Sequence, residues 1–531
     1  IEAAADNVAV GYLALSTEVG GQNNVAIGTR ALRDQTSGSG NIYNTAVGSN
    51  TGKSITSGVQ NTLIGGDCGD ALTDADFNVA VGVSALGTDR KGNLSVAIGH
   101  AALSAQDFSS PTNSLNVAVG PQAGASVTTG ISNTLIGSEC GDVLTDADDN
   151  VAVGRLALSA DTLGAGSTAI GRGALKTQNL TSSAYSFNTA VGYSAGELVT
   201  TGTSNVIIGA IAGDSITSGA ANTVVGVHSL GLNQTGAGNT SVGNQALFNS
   251  TTANITAVGH NALFHSTTAT ANVAVGYQAG MFVTTGSTST FLGYQAGQGI
   301  TGAKLTGADN VAVGKGAGLL LQGGAANNTC VGTIAGNAIT TGNSNTIIGK
   351  QAGTGGTPLT TGDSNTFVGF NVIATTADGD AAIGLGHNMA CAPGFTTLGS
   401  GADDIRAAHG NVTWATVSDQ RYKKDIADST AGLSFINALQ PRTFKYKNLG
   451  ELPTAFRAYE ADSTTVFKNS NINHGFIAQE VKAAIDADSS IKDGFRLWDS
   501  RDDGSQEVAE AALIPILVKA IQEQNALIES L

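Results

Sequence analysis

Apolar and small residues alternate in short bursts along the first four hundred residues. The burst reads Asn-Val-Ala-Val-Gly-x-x-Ala, as in Asn7–Ala14, Asn24–Ala31, Asn78–Ala85, Asn116–Ala123, Asn150–Ala157 and Asn272–Ala279. A sister form, Asn-Thr-x-Ile-Gly, occupies Asn61–Gly65, Asn133–Gly137 and Asn345–Gly349. The motif glycine recurs at Gly11, Gly28, Gly48, Gly65, Gly82 and Gly99 and onward to Gly399, mostly in steps of 17 with some of 20 or 21. A longer period overlies this one. Gly48, Gly120 and Gly192 are 72 residues apart, and the stretch Cys68–Asp76 returns as Cys140–Asp148.

A fixed period of this length marks a repeat architecture. In Val8-Ala9-Val10 the alternation sets both valines on one strand face and the alanine on the other. The glycine permits a corner with positive φ. The asparagine can bond its own turn and stack into a ladder. The alanine three residues after the glycine leaves room for a neighbouring turn. These features predict an elongated parallel β-solenoid, a β-roll with coils of ~17 residues and two or three short strands each. About twenty-two steps of ~4.8 Å make a rod of roughly 100 Å. The extra four residues on every fourth coil should form bumps, the natural place for a binding surface.

After Gly399 the pattern changes. Residues 1–400 are the predicted solenoid, 401–417 a connector, and 418–531 a small α+β domain ending in a long helix. Ala431–Leu439 reads as a short helix stopped before Pro441, Arg442–Tyr446 as a strand, and Gly475–Val481 as a strand passing into a helix to about Ile485. Residues 508–531 read as the final helix. Ile514, Ile521 and Ile528 fall at heptad position a, and Leu517, Gln524 and Leu531 at d. Such a stripe either holds copies of the chain in register, with Gln524 as a polar layer, or packs on its own domain.

Composition narrows the function. Of 531 residues 72 are Gly, charged residues are 12%, and net charge is −16. An acidic surface is a poor partner for nucleic acid, whose binding rests on Lys and Arg neutralising phosphates. No run of 18 apolar residues predicts membrane insertion, and no secretion signal opens the chain. The chain begins at Ile1, so an attachment region is expected upstream of it. Cys68, Cys140, Cys330 and Cys391 lack metal-ligand spacing and read as buried free thiols. The acidic loops Asp70–Asp76 and Asp142–Asp149 read as solvated turns, the Thr-Thr-Gly corners as turn chemistry, and the histidines at 100, 228, 260 and 265 as surface or turn residues. Neither metal nor cofactor is expected.

Two resemblances follow. The Asn-x-Ala-x-Gly-x-x-Ala unit, over about residues 5–400, is similar to the head repeat of trimeric autotransporter adhesins, with relatives in phage tail fibres. The unit 418–531 resembles the endosialidase-type intramolecular chaperone. That resemblance rests on Ser418-Asp-x-Arg421-x-Lys423-x-x-Ile426, on Leu439-Gln-Pro441 with Phe444-Lys-Tyr446, on Gly475-Phe-Ile-Ala-Gln-Glu-Val481 and on Leu513-Ile-Pro-x-Leu517. It implies a homotrimer whose register is set by the C-terminal unit. It also implies self-cleavage of the Val417–Ser418 bond by a Ser418–Lys423 dyad. A serine hydroxyl needs a base, and Ser–Lys pairs are a known variant. Lysine titrates at about 10.4 in water, so it must be desolvated or set beside other cations, with Arg421 and Lys424 as candidates. His474 and Glu480 are candidate assisting residues.

The expected protein is therefore a phage tail fibre located in the virion and made in the host cytoplasm. It would be a single-turnover serine autopeptidase acting on its own chain. Its partners would be two further copies, a host cell-surface receptor (glycan or surface protein) and other virion tail proteins. The alternatives are a bacterial trimeric adhesin head, which would need an outer-membrane anchor segment, and a glycan-degrading tailspike, which would need paired carboxylates on the rod.

Overall fold

Each coil contributes a short strand, mostly of three residues, to one continuous ladder, and each pairs in parallel with its counterpart one coil on. Val8–Val10 pairs with Val25–Ile27, and Val25–Ile27 with Thr45–Val47. The first step spans 17 residues and the second 20, yet the register is the same, so the insert is looped out of the ladder. The ladder runs to Phe395–Ser400, which pairs with Ile383–His387. It ends in antiparallel partners, Asp403–Ala408 and then Ala415–Thr416, which close the exposed edge of the stack. The computed structural model describes residues 6–401, 403–411, 415–416, 418–489, 491 and 497–531. It divides into two units, Ile1–Val417 and Ser418–Leu531.

In the first unit the central residue of each strand points into the lumen, and Ala26, Ala46, Leu63 and Ala80 are fully buried. The flanking Val, Thr and Ile residues point outward, and Ile27, Ile64, Ile136 and Ile208 are exposed. Four pairs of coils add the second short strand that the alternation predicts, Gly21–Gln22 with Gly40–Asn41, Gly92–Asn93 with Thr112–Asn113, Gly164–Ala165 with Ala184–Tyr185 and Ile373–Ala374 with Ala390–Cys391. The rest of the coil is spent on tight turns, with left-handed residues such as Leu13 and Leu15 (φ 56° and 49°) just after the strand and Asn23 (φ 62°) just before the next. In the other coils these corners bend the chain too sharply for a second regular strand.

The lumen is filled in one of two ways. Where a leucine stands four residues after the motif glycine, as Leu32, Leu86 and Leu103 do, it occupies the lumen itself. Where that position is glycine, as at Gly52 and Gly69, the lumen is filled by an aliphatic residue three positions later, Ile55 or Leu72. A Cβ on Gly52 would stand 2.9 Å from Leu63 and 3.0 Å from Ile55, so the space is occupied once and close-packed.

Two columns lock the coils together. The asparagines stack: Asn61 N–H donates to Asn44 Oδ1 at 2.9 Å, and Asn61 Nδ2 donates to Ala75 O at 2.8 Å. The same pair of bonds recurs at Asn133, Asn205 and Asn222. At these coils the buried amides are thereby satisfied. The motif glycines also stack. Gly226, at φ +129°, carries its absent Cβ 2.5 Å from Gly243 O.

The inserts that follow Gly28, Gly99 and Gly171 are each anchored by a buried carboxylate that the repeat motif alone does not announce. Asp89 Oδ1 accepts from Gly92 N–H (3.0 Å) and Lys91 N–H (3.2 Å), and Oδ2 accepts from Gln106 Nε2 (2.6 Å). Gln106 Oε1 in turn accepts from Asn116 Nδ2 at 2.9 Å, beyond the insert. Asp161, Gln178 and Asn188 repeat the relay, as do Glu18, Gln35 and Asn44. The backbone amides solvate a carboxylate that would otherwise be costly to bury.

The second unit packs Ala431, Phe435, Leu439, Val481, Ile485, Leu497, Leu513 and Ile516 into one core. Its helices are α1 (Leu433–Ala438), α2 (Ala478–Ala487) and α3 (Ile514–Glu529). Strand Arg442–Phe444 pairs with Asn473–Gly475, and Trp498–Ser500 with Gln506–Val508. The final α-helix thus begins at Ile514 rather than at 508. Residues before it form the end of a strand and a 3-10 turn, Glu510–Leu513. Pro515, which has no N–H to donate, sits in the first turn of α3, where none is needed.

Candidate active site and assembly faces

The site is built within six residues. Asp419 is extended (φ −67°, ψ 136°) and caps a single 3-10 turn, Gln420–Tyr422, by accepting from Arg421 N–H at 2.8 Å. Lys423 closes the turn by donating its N–H to Gln420 O at 2.9 Å. One such turn folds position 423 back on 418, and Lys423 Nζ donates to Ser418 Oγ at 2.8 Å. The two expected dyad members therefore meet. Both are exposed. Val417, on the other side of the expected scissile bond, lies outside the described residues.

The candidate assisting residues are placed elsewhere. Arg421 does not lie free beside Lys423; it grips Asp419, with Nη2 2.7 Å from Oδ2. Its guanidinium holds the Asp419 carboxyl below the ordinary carboxylate range. Arg421 therefore stabilises the turn that carries the pair. His474 is exposed on its strand, opposite Thr443. Glu480, in the first turn of α2, accepts from Arg442 Nη2 (2.8 Å) and Nε (3.0 Å) and is held below its usual range by that contact. Among the described residues, neither bonds to Ser418 or Lys423. The bonding roles of Asp419, Arg442 and Glu523 are not announced by the sequence motifs. Glu523 accepts from Leu433 N–H at 2.8 Å and so caps α1.

Helix α3 has two apolar faces. Ile516 and Ala520 are buried in the unit's own core. The heptad stripe faces the other way: Ile514, Leu517, Ile521, Gln524, Ile528 and Leu531 are all exposed, Ile521 by 56% and Ile528 by 61%. The stripe and the face packed on the unit's own core thus lie on different sides of the helix.

On the rod, the acidic loops are spent on contacts between coils. Asp70 pairs with Lys53 at 2.6 Å, and Asp76 and Asp148 accept from Val59 N–H and Ile131 N–H, both at 2.8 Å. The corner threonines form a hydroxyl ladder, as in Thr200 Oγ1 to Thr217 O at 3.2 Å. All four cysteines are free and buried, and burial pushes the thiols of Cys68, Cys140 and Cys330 up to about 12.

Fold and site together describe a parallel β-solenoid followed by a small α+β unit with a Ser–Lys pair at its first residues. Residues 418–488 match the model of a family described as chaperone of endosialidase. The match begins at Ser418, where the second unit also begins. No curated protein matches the chain.

Proposed function

We propose that this chain is a trimeric phage tail fibre or tailspike-type rod whose C-terminal unit is an intramolecular chaperone released by self-cleavage between Val417 and Ser418. The observation that carries the reading is the 2.8 Å apposition of Lys423 Nζ and Ser418 Oγ at the first residue of the family match. A protonated amine donates along that line, and a neutral one accepts the hydroxyl proton along it. Ser418 Oγ then adds to the Val417 carbonyl carbon. Collapse breaks the C–N bond, Lys423 returns its proton to the Ser418 nitrogen, and an ester links the Val417 carbonyl carbon to Oγ. Water hydrolyses the ester, leaving a Val417 carboxylate and a Ser418 with a free α-amine and a restored hydroxyl. Burial of the amine on assembly favours its neutral form, so cleavage would report a folded trimer.

The trimeric reading is supported by two apolar faces that lack a partner in one chain, the outer strand face and the exposed α3 stripe. A slow-folding, repetitive parallel stack benefits from a clamp that sets register. Host attachment then falls to the rod, with a surface glycan or protein as receptor and other tail proteins at the opposite end. Expression of the chain, with intact-mass analysis and N-terminal sequencing, tests the reading. A fragment beginning at Ser418 supports it, and an uncleaved assembled trimer sinks the self-cleavage.

A further inference from the structure

In a repetitive rod every coil offers its neighbour nearly the same surface, so something other than the ladder must choose the level at which copies meet. Two columns flank the outer strand face. One is the residue just before the ladder asparagine, and the other is the residue just after the motif glycine. Both columns point to solvent, and at several coils, though not at all of them, their two residues are chemically matched. On one coil they are Asp149 and Arg155; on another, Asp309 and Lys315; all four are exposed. On a third they are Phe187, 63% exposed, and Tyr193, 51% exposed. Phe77 and Val83 form a fourth, apolar level and are exposed too.

These pairs cannot close within a chain. Six residues of largely extended backbone separate the members by up to about 20 Å, with the apolar strand face between them. Their present polar contacts are local. Arg155 reaches Glu139 at 3.5 Å, and Asp149 accepts from Tyr185 OH at 3.2 Å. Asp309 accepts from Thr288 Oγ1 at 2.5 Å, and Lys315 stands 6.0 Å above the Tyr294 ring.

Resting on the trimeric reading above, we propose that these two columns are the seams between copies of the chain. The column before the strand on one copy meets the column after the strand on the next, at the same coil. Rotation about an axis parallel to the stack leaves every residue at its own height. Turning three apolar strand faces toward that axis makes a triangular core, and at each corner opposite edges of two sheets come together. Asp149 then faces Arg155, Asp309 faces Lys315, and Phe187 faces Tyr193. A slip of one coil still offers Asp149 a cation, Arg172, but sets Asp309 against Thr333 and Phe187 against Ala210. The irregular levels therefore encode the in-register trimer that the repeat itself leaves open.

The test is site-directed disulfide trapping in the full chain, whose native thiols are all buried. The double variant D149C/R155C, oxidised and run unreduced after boiling, should give a covalent trimer as its main band. D149C and R155C alone should give none, and D149C/R172C should not cross-link. Mass photometry of the untouched protein is read in parallel. A trimer that fails to cross-link in D149C/R155C overturns the seam and leaves the trimeric reading standing, whereas absence of any trimer removes that reading itself. Cross-linking by D149C alone indicates a symmetric like-to-like contact, and cross-linking by D149C/R172C a slipped register; either overturns the proposal. As a check independent of oxidation, D309K should lower the temperature at which the trimer dissociates, and D309K/K315D should restore it.

Discussion

The Lys423 ammonium lies 2.8 Å from the Ser418 hydroxyl because a single 3-10 turn, capped by Asp419, reverses the chain between them. The pair needs no distant residue to form it. Substitution should therefore separate chemistry from folding. Ser418→Ala should leave one full-length band that still assembles, and Lys423→Met should slow cleavage by ~100-fold or more. Arg421→Ala should slow it less, since Arg421 acts on Asp419. Band intensities over time after assembly read all three, and rapid cleavage of Lys423→Met would remove the lysine from the mechanism.

The exposed stripe of α3 should matter for assembly and not for the fold of its own unit. Ile521→Asp with Ile528→Asp is expected to yield monomeric, uncleaved chain in sedimentation velocity, with helical circular dichroism retained. Ile516→Asp, on the buried face, should unfold the C-terminal unit instead. If the stripe variant still sediments as a trimer, α3 is not the clamp.

Gly226→Ala should damage the rod. Its φ of +129° is strained for any L side chain, and the added Cβ would meet Gly243 O at 2.5 Å. The backbone strain alone costs about 1–3 kcal/mol, and the clash adds to it. A drop in Tm by several degrees in calorimetry is expected. An unchanged Tm would mean that the stacked carbonyls yield easily.

Asn205→Ala should cost more than an ordinary surface change. It strands the Asn222 N–H and Gly219 O inside the stack, while Asn188 Oδ1 keeps the backbone N–H of residue 205, at about 1–3 kcal/mol for each group left unpaired. Faster amide exchange in the coils on either side of residue 205, with distant coils unaffected, is the expected signature.

The buried thiols link stability to pH. Their folded values lie at about 12 for Cys68, Cys140 and Cys330, above the ordinary value of about 8.5. The folded rod therefore keeps protons that the unfolded chain releases. Their contribution is complete below about pH 8.5 and is lost as pH rises toward 12. Native protein should resist thiol reagents at pH 8 and react with them after denaturation.

Much of this was legible beforehand. The recurring Asn-x-x-x-Gly motif is itself the strand register, since parallel coils pair motif residue to motif residue whether the step is 17 or 20. The heptad stripe and the Ser418–Lys423 spacing were equally plain. The insert anchors were not, because Asp89 and Gln106 follow different coils and meet only when those coils stack. Their signal was a polar residue seven positions after the motif glycine wherever leucine stood at four.

By itself the sequence determined a parallel stack of constant period, its irregular coils, and the residue at which the pattern changes. The tertiary structure decided which strand face is core. Alternation in Val-Ala-Val is symmetric and favours neither side. The lumen left by tight, left-handed corners takes the centre of the strand, alanine in many coils and a larger residue such as Leu63 in others, so Ala26 is buried and Ile27 faces out. The same holds at Ser418: spacing supplied the two residues, and the capped turn supplied the distance between them.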